Sequence, residues 1–194
     1  MQPLERRATV RTLLSNRGDM LCVTGLGGTC WDVAAAGDNK MNFYLWGAMG
    51  CAAMVGLGLA IAQPDRRVLV VTGDGEALMG LGAFATIAVQ RPKNLAIAII
   101  DNEHFGETGM QPTHTGAGVD LARVAEAAGF AATAVARDDA GLAKATAMLR
   151  EAPGPVLAVL KVDTAKKPLV MPPRDGAYLK DRFREALLGK AAID

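Results

Sequence analysis

Two segments of this 194-residue chain put oxygen-bearing side chains where they could share one ligand. Asp74 sits between Gly73 and Gly75, directly after the apolar run VLVVT, Val68 to Thr72, and Asp101 and Asn102 directly follow LAIAII, Leu95 to Ile100. Both runs are continuously apolar and read as parallel strands covered on both faces. Twenty-five residues separate Gly75 from Asp101. That is room for one helix and one strand, so the two strands become neighbours through a right-handed crossover. Adjacent strand ends lie about 5 Å apart, which lets a carboxylate and an amide oxygen hold one metal ion. Oxygen ligands beside a phosphate favour magnesium. Gly73 and Gly75 let the backbone turn close to a ligand, and the N–H groups opening the helix after Gly75 suit a phosphate. Each segment alone is an ordinary turn; the spacing is what joins them.

The elements that must position these residues follow from pattern. A helix is predicted over Pro3–Asn16 with Gly18 past its end, then a strand over Met20–Thr24. After the polar loop AGDNKMN, the apolar run FYLW leads into a glycine-rich helix that stops before Pro64. A helix is predicted over Glu76–Gln90. The segment from Asp101 to Val119 is too polar for the core and is read as one long functional loop. Asp120 can cap the helix LARVAEAA, which Gly129 ends; the strand FAATAVA, a helix from about Asp139 to Arg150 and the strand PVLAVLKV complete the alternation. From about Asp163 the chain reads as a basic, proline-punctuated, peripheral tail. The expectation is a single α/β domain over residues 1–194, a doubly wound parallel sheet with helices on both faces and its ligand at the carboxyl ends of the strands.

Composition limits the partners. With 51% apolar residues the chain can bury one sizeable core, and 21 Lys and Arg against 20 Asp and Glu leave no basic field for nucleic acid or an anionic membrane. Cys22, Cys30 and Cys51 are odd in number and lack C-x-x-C spacing, which argues against a disulfide framework, a zinc site or an iron–sulfur cluster. The N-terminus carries charge through its apolar positions, unlike a signal peptide, so a cytoplasmic location is expected. Phe43 to Ala62 runs twenty residues without a charge, but its Gly and Ala content fits a strand and a buried helix better than a membrane span.

Gly73-Asp74-Gly75 followed by Asp101-Asn102 resembles the thiamine-diphosphate signature, a Gly-Asp-Gly with a pair ending in Asn some twenty-five residues later. FYLWGAMGCAAMVGLGLAIAQPDRRVLVVTGDGEALMGLGAFATIA and GMQPTHTG are similar to the cofactor-binding half of phosphonopyruvate and sulfopyruvate decarboxylases. The resemblance implies Asp74, the Asn102 side chain and the His104 carbonyl as magnesium ligands, and Gly73, Gly75 and the Glu76 N–H around the diphosphate. It makes Met49 the apolar prop under a bent cofactor and Gly47 a carbonyl acceptor for the cofactor's amino group. Two departures stand out: Asp101 where the family often has Asn, and Glu76 where it has a small residue. Thr113 matches the family, and His104, Glu107 and His114 are the acid–base candidates on the loop.

The same resemblance requires a glutamate from a pyrimidine-binding domain, for which the chain has no room. It therefore implies a heteromer with a pyrimidine-domain subunit, further copies of the chain, and decarboxylation of a small 2-oxo acid to an aldehyde and carbon dioxide. An acetolactate-synthase-like carboligase subunit and a non-catalytic cofactor-binding subunit are the alternatives. In GLGGTCWDV, Trp31 stands where the family usually has a cation, which predicts a less anionic substrate unless Trp31 packs at an interface or another cation such as Lys40 serves.

Overall fold

The computed structural model describes residues 3–192. In chain order the elements are α1 (Arg6–Leu14), β1 (Leu21–Thr24), α2 (Gly28–Ala35), β2 (Asn42–Tyr44), α3 (Ala52–Ala62), β3 (Val68–Gly73), α4 (Asp74–Met79), α5 (Gly82–Gln90), β4 (Leu95–Asp101), β5 (His104–Phe105), β6 (Gln111–Pro112), α6 (Leu121–Ala128), β7 (Ala132–Ala136), α7 (Asp139–Glu151), β8 (Val156–Lys161) and α8 (Gly176–Leu188). Side-chain oxygens start four of the helices: Glu5 accepts from the Arg7 and Ala8 N–H groups, Asp120 from Ala122 and Arg123, Asp138 from Gly141 and Asp175 from Tyr178.

Six strands form one parallel sheet in the order β2-β1-β3-β4-β8-β7. Every residue of β4 and all but the last of β3 is buried, because alternate side chains feed two apolar layers. Leu69, Val71, Ala96, Ala98 and Ile100 meet α1, α2 and α7 on one face; Val68, Val70, Leu95, Ile97 and Ile99 meet α3, α5 and α6 on the other. The chain leaves β1 toward β2 over the first face and leaves β3 toward β4 over the second. The connections therefore diverge between the carboxyl ends of β1 and β3, the position at which doubly wound sheets open a crevice.

Four differences from the sequence pattern have physical causes. The helix expected over Glu76–Gln90 is two, α4 and α5, broken at Gly80 and Leu81. Gly80 packs backbone to backbone on Gly50, leaving no space for a Cβ there. A helix, α2, occupies part of GLGGTCWDV; it begins at glycines and is apolar on most sides, so it shows no amphipathic period. The long loop contains the β5–β6 hairpin and a 3₁₀ turn over His114–Ala117. The segment after Asp163 is not peripheral: α8 buries Leu179 and Phe183, and Phe183 lies 5.3 Å from the Phe43 ring. Among the described residues no helix is long and apolar enough to cross a membrane.

Candidate functional site

A cleft of about 680 Å³ opens where the strand ends diverge. Gly73, Asp74, Gly75, Glu76, Met49, Asn102, His104 and Glu107 all line it, together with Arg6 and Trp31 from α1 and α2 and residues 164–167 of the C-terminal segment. Gly47 and His114 do not; both are exposed, Gly47 in the loop before α3 and His114 at the start of the 3₁₀ turn.

Asp74 starts α4 at the end of β3 and is 2% exposed. Its Oδ2 accepts from the Thr113 hydroxyl at 2.5 Å and the Thr115 hydroxyl at 3.2 Å. Thr115 also donates to Asp101 Oδ1 at 2.8 Å, and the Lys161 ammonium lies 2.7 Å from both Asp101 Oδ2 and Glu103 Oε1. Asp101 and Lys161 are register partners on β4 and β8, so the sheet itself supplies this ion pair. Burial opposes the charge on Lys161, but the two carboxylates outweigh it and hold the ammonium above its usual range. Among the described residues Asp74 has no such cation. Burial first, and then the negative charge of Asp101, raise its carboxyl above the ordinary range, against the pull of Thr113.

Asn102 Oδ1 accepts the His104 N–H at 3.0 Å, which folds the chain after β4 into a tight turn. Glu103 has φ +62°, and the Thr113 N–H donates to the Glu103 carbonyl at 2.8 Å. His104 then faces Pro112 across the hairpin. Because the Thr113 N–H bonds the Glu103 carbonyl, His104 and Pro112 are a non-hydrogen-bonded pair, and the His104 carbonyl points out of the ladder. The imidazole Nδ1 contacts the Asn102 carbonyl at 2.9 Å, leaving Nε2 for other partners.

Glycine is required at the floor. A Cβ on Gly75 would lie 2.5 Å from the Phe105 ring and 3.7 Å from Met49 Cε. Met49 thus stands beside the Gly-Asp-Gly turn. Glu76, the other departure, does not aim its carboxylate into the floor. Thr72 Oγ1 donates to its Oε2 at 2.8 Å, and the carboxyl occupies the space where a Cβ on Gly25 would be. Burial raises its proton affinity despite the Thr72 hydroxyl.

The donors therefore suit a hard divalent cation beside an anion: a buried carboxylate with no cation partner among the described residues, an amide oxygen, and a carbonyl that points out of its ladder. Sequence reasoning missed Thr115, Lys161, Phe105 and Arg6 as parts of this site. Lys161 was findable, since β8, like β4, ends its apolar run on a charged residue.

Residues 23–160 match the family described as thiamine pyrophosphate enzyme, C-terminal TPP binding domain. The chain is 36% identical over 186 residues to the sulfopyruvate decarboxylase subunit beta of Methanothermobacter thermautotrophicus, covering 96% of this chain and 97% of that protein. It is 37% identical over 190 residues to the phosphonopyruvate decarboxylase of Streptomyces viridochromogenes, covering 94% of this chain but only 46% of that one. Its fold matches a thiamine diphosphate-dependent 4-hydroxybenzoylformate decarboxylase from Rhodococcus jostii with a TM-score of 0.71 at 16% identity, over 86% of this chain and 34% of that one. Fold, glycine-floored cleft and sequence agree: the chain belongs to the thiamine pyrophosphate enzymes, as a C-terminal TPP-binding domain.

Proposed function

We propose that this chain is the diphosphate-binding subunit of a heteromeric decarboxylase that converts a small 2-oxo acid to an aldehyde and carbon dioxide, using thiamine diphosphate and magnesium. The observation that carries the reading is the placement of Asp74, Asn102 and Met49 around one cleft, in a chain that spans nearly the whole of a sulfopyruvate decarboxylase subunit beta. All 194 residues are read as one domain, and its three free cysteines suit a reducing cytoplasm.

Asp74, the Asn102 side-chain oxygen and the His104 carbonyl would hold magnesium. Backbone N–H groups around Gly73, Gly75 and Glu76 would meet the diphosphate, Met49 would brace the cofactor, and the Gly47 carbonyl would accept its amino group. Thiamine diphosphate, when bound, supplies an electron sink for the loss of carbon dioxide from a 2-oxo acid. The chain's own work is to orient and to manage charge. Thr113 and Thr115 hold one oxygen of Asp74, so its carboxylate plane is set in advance. Of the acid–base candidates, His104 and Glu107 line the cleft and can move a proton there; His114 stands outside it. No glutamate of this chain is assigned to the cofactor's pyrimidine ring. That group comes from a partner subunit bearing a pyrimidine domain, with further copies of this chain completing the assembly.

The test is reconstitution. The chain coexpressed with a pyrimidine-domain partner is expected to decarboxylate a 2-oxo acid, and the chain alone to be inactive. Enzyme-like turnover by the chain alone would remove the need for a partner. Magnesium-dependent binding of thiamine diphosphate without turnover in the complex would leave a binding subunit in place of an enzyme.

A further inference from the structure

The wall of the cleft opposite Asp74 carries a cation to which the reading above gives no task. Arg6, at the start of α1, reaches onto α2 and donates from Nε to Asp32 Oδ2 at 2.6 Å. Arg7 Nε takes Oδ1 of the same carboxylate at 2.9 Å and spends an Nη on the Pro168 carbonyl at 2.8 Å. Asp32 is fully buried, so this paired anchor is fixed. Neither Nη of Arg6 has an acceptor among the described residues, and the side chain, 16% exposed, lines the cleft.

The guanidinium lies against bare backbone. A Cβ on Gly28 would come 2.9 Å from one Nη and 3.7 Å from the other, so only glycine leaves this seat open. Beside it Gly28 and Thr29 line the cleft and open α2 without any side-chain cap, so their N–H groups have no capping partner. Lys166 lines the same side, while Lys167 is engaged by Glu5. The acid on this wall is Glu107, exposed and lying over Gly27. A guanidinium held at Nε has its plane set, and its two remaining amino groups form a fork that matches a tetrahedral oxyanion.

We propose that Arg6 is the oxyanion-binding arm of this cleft, gripping a phosphate-, phosphonate- or sulfonate-type group through both Nη atoms beside the Gly28 and Thr29 N–H groups. The group has two sources, the terminal phosphate of the cofactor or the distal acid of a 2-oxo acid substrate; naming them rests on the decarboxylase reading, but the arm itself does not. It also answers the absence of a cation at Trp31. That residue lines the cleft and packs edge-on to Trp46 at 5.1 Å, and the positive charge enters from α1 instead.

The experiment uses the complex with its pyrimidine-domain partner and three variants. Arg6→Gln removes the charge, Arg6→Lys keeps charge beside Asp32 but loses the fork, and Gly28→Ala fills the seat while leaving the ion pair. Two quantities are measured for each: the calorimetric affinity for thiamine diphosphate and for inorganic diphosphate with magnesium, and kcat/KM for 2-oxo acids with and without a distal sulfonate or phosphonate. A cofactor source predicts about 10- to 100-fold weaker binding of both diphosphates, with substrate preference unchanged. A substrate source predicts unchanged diphosphate binding and a fall of similar size in the preference for the doubly charged acid. Should Arg6→Gln fail to fold, Arg6→Lys and Gly28→Ala must still move one of the two quantities. Folded variants that match wild type in both overturn the proposal. Wild-type complex that binds no thiamine diphosphate overturns the decarboxylase reading instead.

Discussion

The two walls of the cleft follow opposite rules. On the β3–β4 side Asp74, Thr113, Thr115, Asp101, Lys161 and Glu103 form one continuous hydrogen-bonded chain. On the α1–α2 side Arg6 lines the cleft with neither Nη bonded to an acceptor among the described residues, and α2 opens at Gly28 and Thr29 without a side-chain cap. The first wall holds its geometry before any ligand arrives. The second pairs its cation with Asp32 through Nε alone and leaves both Nη groups of Arg6 open to a ligand. A cleft built this way would fix where a metal sits and let an anion settle against it.

Substitutions at Asp74 should separate the walls most sharply. Asp74→Ala is expected to weaken magnesium-dependent binding of thiamine diphosphate by at least about 100-fold in calorimetry, since even residues that merely support a metal ligand cost 10–100-fold. The ligand-free chain should keep its melting temperature or gain, because a buried carboxylate without a cation is removed with it. Unchanged affinity, or affinity indifferent to chelator, would break the assignment of the first wall.

Next comes the ion pair that ends the network. Lys161→Met strands Asp101, which is 1% exposed, and is expected to cost about 3 kcal/mol in urea unfolding. The double variant Asp101→Asn/Lys161→Met should recover most of that loss, because neither charge is left unpaired. A double variant no more stable than the single one would show that the pair is not the unit.

Gly75→Ala tests the floor between the walls. Its methyl overlaps the Phe105 ring, so about 1–3 kcal/mol of strain is expected, largely relieved by Phe105→Leu in the same chain. Cofactor affinity should follow the same order, with the double variant above the single.

The smallest expected effect concerns pH. Burial raises the carboxyls of Asp74 and Glu76, so the folded chain keeps protons that the unfolded chain loses near pH 4. Stability carried by those protons is present below the unfolded value and is lost as pH rises through the raised folded values. The ligand-free chain should therefore lose stability as pH rises above about 4, and Glu76→Gln should flatten that fall. An identical slope in the variant would mean that Glu76 does not titrate in this window.

What was legible in the sequence follows the same division. The central strands and the Gly-Asp-Gly turn showed because full burial on both faces leaves an unbroken apolar run, and α6 showed to the residue because Asp120 and Gly129 mark its ends in local chemistry. The α2 wall did not show. Its helix starts at Gly28 without a capping side chain, and Arg6 joins it from twenty-two positions away through a contact that no local pattern records. Helix α8 is readable in local chemistry: Asp175 caps it, and Leu179 and Phe183 fall four apart on its buried face. The break between α4 and α5 was not readable, since it arises from Gly80 meeting Gly50 across the fold.

The carboxyl of Glu76 lying in the space beside Gly25 makes these two positions a single choice. A side chain at position 25 is affordable only where position 76 is small, and a glutamate at 76 obliges a glycine at 25. Relatives should therefore divide into two lineages, one with glycine facing a long acid and one with a short residue at 76 and freedom at 25. Chains that mix the two should be rare. In this chain Gly25→Ala should damage folding on its own yet be tolerated in a Glu76→Ala background, the non-additivity that contacting residues show. Swapping both positions together would then transplant one lineage's solution into the other without touching Asp74.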